Sequence, residues 1–262
     1  TLSLHDALPI LVRGLWADRE RPVLLNSWEA AYFDINEKKL LKLAKEAKKC
    51  GIELFVMDDG WFGHRDDDTS SLGDWQENLS KLPGGVKQLA DKINAIGLEF
   101  GIWVEPEMVN EDSDLYRAHP EWAVRVPGQS HAEGRHQMLL DLTNKDVRDH
   151  IVNSMTKVFS SANISYVKWD MNRIMSDRYS QTLPSDRQGE FGHRYVLGLY
   201  DIMGRLTKRF PEILFEGCAA GGNRFDLGIL CYMPQIWASD DTDARERLEI
   251  QTGYSYGYPM SV

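Results

Sequence analysis

Cysteine is scarce in this chain. Its 262 residues include three, Cys50, Cys218 and Cys231, too few and too scattered for a disulfide framework or a structural zinc site. We therefore expect a reducing compartment and a cytoplasmic location. Long apolar runs are also missing: no stretch of about 18 apolar residues occurs, which excludes a membrane-spanning helix for this part of the protein. The opening segment lacks the basic start and continuous apolar core of a signal peptide.

Metal- and nucleotide-binding patterns are missing as well. The seven histidines show no His-x-x-x-His or comparable spacing, and the Asp66-Asp67-Asp68 run is more typical of a solvated loop than of a cation site. Neither Gly-x-Gly-x-x-Gly after a strand nor Gly-x-x-x-x-Gly-Lys-Ser/Thr is present. The formal charge of −10 disfavours a polyanionic partner, because phosphate binding needs clustered basic residues. We expect no cofactor, no metal, and neither nucleic acid nor a membrane as partner.

What the chain does have is the composition and length of one large α/β domain. A hydrophobic fraction of 42% with 27% charged residues is ordinary for a globular protein, and α/β barrels of roughly 250 residues commonly fold as one unit. The ends suggest a piece of a longer protein, because the chain starts with Thr rather than Met and residues 257–262 contain no terminating element. Residues 1–10 look unrelated to the rest of the chain. We predict an extraneous segment there and a partial barrel domain over residues 11–262.

From about residue 22, short apolar strand patterns alternate with longer helical patterns, as repeated βα units around a parallel sheet do. Polar and aromatic groups recur just past the carboxyl ends of successive strands, where βα loops build a barrel active site; an open doubly wound sheet would place them mainly at one crevice. The pattern predicts a TIM-type (β/α)8 barrel truncated before the eighth strand. Seven strands are predicted, at 22–26, 53–57, 99–104, 137–140, 165–170, 213–216 and 235–238. The clearest predicted helices span 36–49, 86–96 and 145–161.

The strand at 165–170 carries the strongest chemical signal. Side chains alternate along a strand, so Lys168, Asp170 and Asn172 would point one way while Trp169 points the other. A lysine close to Asp170 lowers the pKa of that carboxyl and keeps it ionised, as a nucleophile at an anomeric carbon requires. A buried ion pair that merely closes the barrel is an equally good interpretation of these residues alone.

Further candidates follow the other strands. Asp58 and Asp59 precede a glycine, which suits a simple turn, but the aromatics after them favour sugar binding, since carboxylates accept hydrogen bonds from sugar hydroxyls. Trp103 and Trp237 end two more strands and fit a sugar-lined pocket, although a single Trp is more often core. We interpret Cys218 as a small residue packed against the ligand, because no partner set for a nucleophilic thiol is evident.

A second set of carboxylates, Asp240, Asp241 and Asp243, follows the strand at 235–238. A glycosidase needs two such groups, because one attacks the sugar or activates water while the other protonates the departing oxygen. For Asp243, capping of the following helix is the better interpretation.

Four segments in this order resemble the catalytic domain of bacterial α-galactosidases of glycoside hydrolase family 36, and the resemblance covers about residues 22–259. Several ordered matches are far more specific than any one of them. The segments are Met57-Asp58-Asp59-Gly60-Trp61-Phe62-Gly63, Gly101-Ile102-Trp103-Val104-Glu105-Pro106-Glu107-Met108, Lys168-Trp169-Asp170-Met171-Asn172-Arg173 and Trp237-Ala238-Ser239-Asp240-Asp241-Thr242-Asp243.

The resemblance implies a retaining hydrolase that removes terminal α-D-galactose from oligosaccharides, with Asp170 as nucleophile and Asp240 as general acid/base. It implies that Asp58 and Asp59 bind galactose hydroxyls. It also implies a homo-oligomeric full-length protein. The other positions similar to family pocket residues are Trp103, Arg135, Lys168, Asn172, Cys218 and Trp237.

Some residues depart from the family pattern. In the loop at 217–224, Gly217 and Asn223 stand where Ser and Gly are expected. Family members also have a β-sandwich domain before the barrel, an eighth strand and a C-terminal β domain, which are missing here. Similar barrels act as α-galactosyl transferases or on N-acetylgalactosamine, and a sugar-binding or inactive remnant is the alternative outside catalysis.

Overall fold

A six-stranded parallel sheet dominates the computed structural model, which describes residues 11–130, 132, 134–224 and 226–258. The predicted extraneous segment, residues 1–10, lies outside the described residues. Eight strands are described, and six of them form the sheet in the order β1-β2-β3-β6-β7-β8. The strands are β1 (Leu24–Asn26), β2 (Leu54–Met57), β3 (Glu99–Val104), β4 (Met108–Val109), β5 (Met138–Leu139), β6 (Tyr166–Trp169), β7 (Leu214–Gly217) and β8 (Gln235–Ile236).

Helices connect these strands and cover one face of the sheet. Short 3-10 turns lie at Gly14–Ala17, Pro120–Trp122, Ser185–Glu190 and Ile229–Cys231. The α-helices are α1 (Trp28–Ala31), α2 (Glu37–Lys49), α3 (Gly85–Ala95), α4 (Asp114–Ala118), α5 (Lys145–Ser160), α6 (Phe191–Arg209) and α7 (Ala244–Tyr254). Within these ranges, no helix is both long and apolar enough to cross a membrane.

Each sheet strand lies beside the next sheet strand of the chain, so the winding always proceeds in one direction. This simple order is that of a βα barrel, whereas a doubly wound sheet reverses at a switch point. The predicted α/β class with a parallel sheet is confirmed, and the sheet is curled as part of a barrel would be.

The strand predicted at 137–140 is not part of this sheet. Met138–Leu139 pairs antiparallel with Met108–Val109, and β3 pairs directly with β6. The prediction of seven barrel strands was therefore wrong for this one, and six are found in the described ranges. The two short strands belong to the connection between β3 and α5, which folds over the end of the sheet.

Two helix starts show how local sequence fixes element boundaries. Asn36 caps α2 by accepting a hydrogen bond from the Lys39 backbone N–H, 2.9 Å away. Helix α5 is capped by Asn144, which accepts from the Asp146 N–H, and the preceding Thr143 hydroxyl donates to Asp141.

The sheet has two differently used faces. Strand residues Phe55, Phe100, Val167 and Phe215 belong to the large apolar core under the helices. The opposite face carries a small cluster comprising Trp16, Leu54, Val56, Tyr166 and Leu214. Because side chains alternate along a strand, the residues two positions further on each strand continue that opposite face toward the carboxyl end.

Candidate active site

The polar residues singled out from the sequence gather where this face meets the carboxyl edge of the sheet. Asp58 follows β2, Asp170 follows β6 and Cys218 follows β7. By strand alternation, each lies on the same face of the sheet as the small apolar cluster. Lys168 pairs in register with Trp103 on one side and with Glu216 on the other. Parallel strands bring their carboxyl ends to one edge, so these side chains converge.

Asp170 lies at the centre, and its carboxylate is buried. It accepts a hydrogen bond from the Trp103 indole N–H at 3.0 Å and one from the Met171 backbone N–H at 2.8 Å, and the Cys218 and Asn172 side chains lie close enough to lower its pKa. Burial alone would raise the pKa of Asp170, but the Lys168 charge and these donors outweigh it and lower the pKa. Lys168 thus favours the ionised form of Asp170, in the direction that the sequence predicted.

Lys168 forms its ion pair with Asp58 rather than with Asp170. Its Nζ donates to Asp58 Oδ2 at 3.1 Å, and both side chains are buried. Asn26 Nδ2 on β1 donates to the same oxygen. Burial opposes the charge of Lys168, but Asp58 and Asp170 more than compensate and raise its pKa. The lysine therefore stays cationic between two carboxylates.

Asp59 has a cation of its own. The Arg65 Nη2 donates to Asp59 Oδ2 at 2.8 Å and its Nε donates to Oδ1 at 3.0 Å. The arginine is completely buried. Burial raises the pKa of Asp59, against the opposing effect of Arg65.

Glu105, just past β3, is a fourth buried acid of the group, after Asp170, Asp58 and Asp59. Its Oε1 accepts a hydrogen bond from the Asn172 backbone N–H, and Gln137 Nε2 lies 3.1 Å from its Oε2. Burial and the adjacent Asp170 charge raise the pKa of Glu105 to about 8. The pKa values of these two neighbouring carboxyls are thus shifted in opposite directions.

Behind these groups, Glu107 links three segments. It accepts from the indole of Trp169 at 2.9 Å and from the hydroxyl of Tyr195 at 2.8 Å. Arg224 Nη2 donates to it at 2.7 Å, which ties the loop that carries Cys218 to the end of β3. Trp169 therefore points away from Asp170, as strand alternation predicted.

Asp240 occupies a different setting, on the exposed loop after β8. The Trp237 indole N–H donates to Asp240 Oδ1 at 2.7 Å. The same ring lies 5.6 Å from Lys168 Nζ and 4.8 Å from the Arg247 guanidinium carbon. Trp237 therefore stands between the buried cation and the exposed carboxylate. Asp243 caps α7 by accepting from the Arg245 and Glu246 backbone N–H groups, as predicted.

Arg135 lies apart from the buried carboxylates. It is exposed, and its Nε is 4.0 Å from Asp68 Oδ2. Arg135 and His136 adopt left-handed φ values of 55° and 56°.

In the loop at 217–224, Asn223 stands where the family pattern has Gly. Its side chain stabilises the loop, because Asn223 Nδ2 donates to the carbonyls of Ala219 and Ala220.

Sequence reasoning missed Arg65 and assigned no role to Glu105. A basic residue six positions after Asp59 in a glycine- and aspartate-rich loop carries little signal. The Glu105-Pro106-Glu107 run was noticeable, but nothing local shows that one carboxyl faces Asp170 while the other faces Arg224.

A buried ionised carboxylate at the carboxyl edge of a parallel α/β sheet, with a second carboxylate on a neighbouring loop, defines a site of the kind used by glycoside hydrolases. The chain belongs to the melibiase family, whose profile matches residues 3–262.

The relatives carry consistent names. Alpha-galactosidase AgaA of Geobacillus stearothermophilus is 56% identical over 96% of this chain and 34% of its own length. Alpha-galactosidase Mel36A of Lactobacillus acidophilus is 54% identical with the same coverage. The chain spans about a third of the length of the curated relatives it matches.

Solved structures agree closely with the fold. The crystal structure of AgaA, described as a GH36 α-galactosidase, superposes with a TM-score of 0.96 at 54% identity, covering 98% of this chain and 36% of that one. A variant of AgaA in complex with raffinose superposes with a TM-score of 0.95 at the same identity and coverage.

Proposed function

We propose that the protein containing this chain is a retaining α-galactosidase that removes terminal α-D-galactose from oligosaccharides of the melibiose and raffinose type. The observation that carries the proposal is Asp170, a buried carboxylate at the carboxyl edge of the sheet that accepts hydrogen bonds from Trp103 and Met171 and whose pKa Lys168 lowers. Family membership supports the substrate class, since the named relatives are α-galactosidases.

The reaction is a double displacement. Asp170 attacks the anomeric carbon while Asp240 protonates the glycosidic oxygen, which leaves with the rest of the oligosaccharide. Water, deprotonated by Asp240, then attacks the galactosyl-enzyme, breaks the bond to Asp170 and restores both carboxyls. The donors Trp103 and Met171 fix the carboxylate of Asp170 in place, beside Cys218 and Asn172. Retention requires the two carboxyl groups to stand roughly 5–5.5 Å apart in the working enzyme.

The other residues recognise the sugar. Asp58 and Asp59 accept hydrogen bonds from galactose hydroxyls, and Lys168 and Asn172 donate hydrogen bonds to the galactose. Trp103 and Trp237 supply apolar surface, Cys218 packs against the ring, and Arg135 reaches the sugar from the loop beside Asp68. The pairing of Asp58 with Lys168 supports this arrangement, because it leaves a carboxylate at the surface of the site without a net buried charge.

We further infer that the full-length protein completes the curled sheet into a (β/α)8 barrel and works in a reducing, cytoplasmic compartment. The one-directional strand order supports the first. The buried Cys218 thiol, which lies beside Asp170, supports the second, because a reducing compartment keeps such a thiol unoxidised.

The decisive variant is Asp170→Asn in the protein encoded by the full reading frame. The amide keeps the shape and cannot form the galactosyl ester, so hydrolysis of raffinose and of 4-nitrophenyl α-galactoside should fall by several orders of magnitude. Asp201→Asn, at an exposed position on α6, is the matched control and should retain activity. Wild-type-like turnover by Asp170→Asn would refute the assignment.

The wild-type protein also tests the mechanism. Proton NMR of the first sugar released should show the α-anomer, and the β-anomer would refute retention. A panel of nitrophenyl glycosides, with and without acceptor sugars, separates hydrolysis of α-galactosides from N-acetylgalactosaminidase and galactosyl transfer activities.

A further inference from the structure

Arg65 is completely buried, and its guanidinium donates hydrogen bonds to Asp59 and to two neighbouring segments of the chain. Its guanidinium grips Asp59 with two nitrogens, at 2.8 Å and 3.0 Å. Its third nitrogen, Nη1, donates to the Ser70 carbonyl at 2.9 Å and to Asn110 Oδ1 at 3.2 Å. All three guanidinium nitrogens are therefore engaged.

Aromatic rings enclose this cation. The guanidinium carbon lies 5.4 Å from the centroid of Phe33 and 5.9 Å from that of Phe62. Burying an ion pair costs desolvation energy, and a well-packed apolar pair of similar volume is often equally stable. The arrangement therefore calls for a role beyond holding the core together.

Asn110 extends the network toward the exposed arginine. While its Oδ1 accepts from Arg65, its Nδ2 donates to the His136 carbonyl at 2.7 Å. Arg135 and His136 form a turn with two consecutive left-handed residues, a conformation that costs energy for side chains other than glycine. Anchoring the carbonyl of His136 helps to hold that turn.

We propose that Arg65 is a positioning residue for sugar recognition: it fixes Asp59 as a hydrogen-bond acceptor for a galactosyl hydroxyl and, through Asn110, sets the turn that carries Arg135. The inference rests on the proposed function. Two buried cations then serve the two adjacent aspartates, Lys168 for Asp58 and Arg65 for Asp59.

The role has a pH signature that a merely structural one lacks. Burial already raises the pKa of Asp59 and Arg65 opposes that effect, so loss of Arg65 allows Asp59 to take up a proton. A protonated carboxyl accepts hydrogen bonds less well and adopts other orientations. Sugar affinity in an Arg65 variant must therefore weaken as the pH falls.

The experiment compares Arg65→Met, Asp59→Asn and the double variant in the protein from the full reading frame. The readouts are kcat and KM for 4-nitrophenyl α-galactoside and inhibition by galactose, between about pH 5 and pH 8. We expect Arg65→Met to raise KM at pH 5 by at least about tenfold, the size expected for a charge-assisted hydrogen bond. The increase should shrink toward pH 8, with kcat changed by less than about threefold. Arg117→Met, which breaks an exposed ion pair, is the control and should leave both constants unchanged.

The double variant decides whether Arg65 acts through Asp59. Once the carboxylate is gone, the pH-dependent part of the Arg65→Met effect on KM should vanish, because coupled residues are not additive. Any increase in KM that remains should be independent of pH and reflect the turn that carries Arg135. If Arg65→Met does not fold, Arg65→Lys replaces it in the experiment. One ammonium cannot engage both carboxylate oxygens as the guanidinium does, so KM should rise in the same pH-dependent way. A KM near wild type, or an increase independent of pH, overturns the proposal. A wild-type protein without α-galactosidase activity would refute the proposed function instead.

Discussion

Two adjacent aspartates in this chain pair with different cations. Asp58 pairs with Lys168 and Asp59 with Arg65, because neighbouring residues at the end of a strand point in different directions. Each carboxylate thus has a cation of its own. The two cations offset the repulsion between closely spaced acids.

Asp240→Asn should produce a loss of activity that depends on the leaving group. A sugar leaving group needs a proton, whereas 2,4-dinitrophenolate does not, so turnover of raffinose should fall far more than that of the dinitrophenyl galactoside. Added azide, which attacks without a base, should restore part of the lost rate on the activated substrate. Kinetics with both substrates measures this.

Asp241→Asn is the matched control for that experiment, because Asp241 adjoins Asp240 on the same exposed loop. It should show neither the leaving-group dependence nor the azide effect. If Asp241→Asn alone showed both, the acid/base role would pass to Asp241.

Glu105→Gln should increase the free energy of unfolding at pH 8 more than at pH 5. Burial and Asp170 raise the pKa of Glu105 from 4.5 to about 8, so between these values the unfolded chain loses a proton that the folded protein keeps. Wild-type stability therefore declines with rising pH by up to roughly 1.4 kcal/mol per pH unit from this group. Glutamine removes that decline and still offers an oxygen to the Asn172 N–H. Chemical denaturation at both pH values is the measurement.

Glu99→Gln, at the exposed start of the same strand, provides the comparison for the stability measurement. It should change stability little at either pH. An equal effect of Glu105→Gln at pH 5 and pH 8 would show that Glu105 is already ionised in the folded protein.

The sequence predicts some of these residues and not others for a definite reason. Strand alternation is a local rule, so it correctly placed Lys168 and Asp170 on one side and Trp169 on the other. Arg65 and Glu105 acquire their roles from partners contributed by different loops, which no local rule connects. The assignments of Asp240 over Asp241 and of Arg135 to the sugar came from the family resemblance, and both stay predictions.

At the scale of elements, the same limit explains the wrong strand. Met138–Leu139 is apolar and extended, as a barrel strand would be, but its partner is Met108–Val109 and the pairing is antiparallel. Strand partners are set by tertiary packing, whereas local patterning sets only the extended conformation. The strands that do form the sheet lie where the sequence predicted them, with small differences at their ends.

The helices differ in how strongly they are anchored. Helix α5 buries six side chains, whereas α7 buries none. Helix α7 therefore depends mainly on its own capping and on contacts of its first turn, including Arg247, whose Nη1 donates to the Ser239 carbonyl.

Asp243→Ala should loosen α7 locally without greatly changing the melting temperature of the domain. The loss of the cap removes about 0.5–2 kcal/mol from the helix, and little of that is shared with the core. Hydrogen exchange should therefore accelerate at residues 245–250. Asn144→Ala removes the equivalent cap from the well-anchored α5 and should lower the melting temperature instead. A similar drop in melting temperature for both variants would show that α7 is part of the cooperative core.

At the scale of the whole molecule, β1 and β8 form the two edges of the parallel sheet in the described ranges. Open strand edges present unpaired N–H and C=O groups and invite pairing between molecules. The net charge of −10 opposes such association through repulsion, and salt screens it.

This chain expressed by itself should therefore aggregate, and faster as salt increases. Light scattering of the isolated chain at low and high ionic strength measures this. A chimera in which the chain replaces the matching third of AgaA supplies neighbouring strands and should stay dispersed. A stable monomer of the isolated chain at high salt would show that its edges are already protected.

The two proposed catalytic carboxylates share one structural feature: each accepts a hydrogen bond from an indole, Asp170 from Trp103 and Asp240 from Trp237. Indole emission responds to the charge and hydrogen bonding around the ring. Trp103 is buried and Trp237 is partly exposed, so a soluble quencher reaches them differently. The two indoles are thus placed to respond to different steps, Trp103 to the ester formed at the nucleophile and Trp237 to the proton transferred at the leaving group, against the emission of the six other tryptophans.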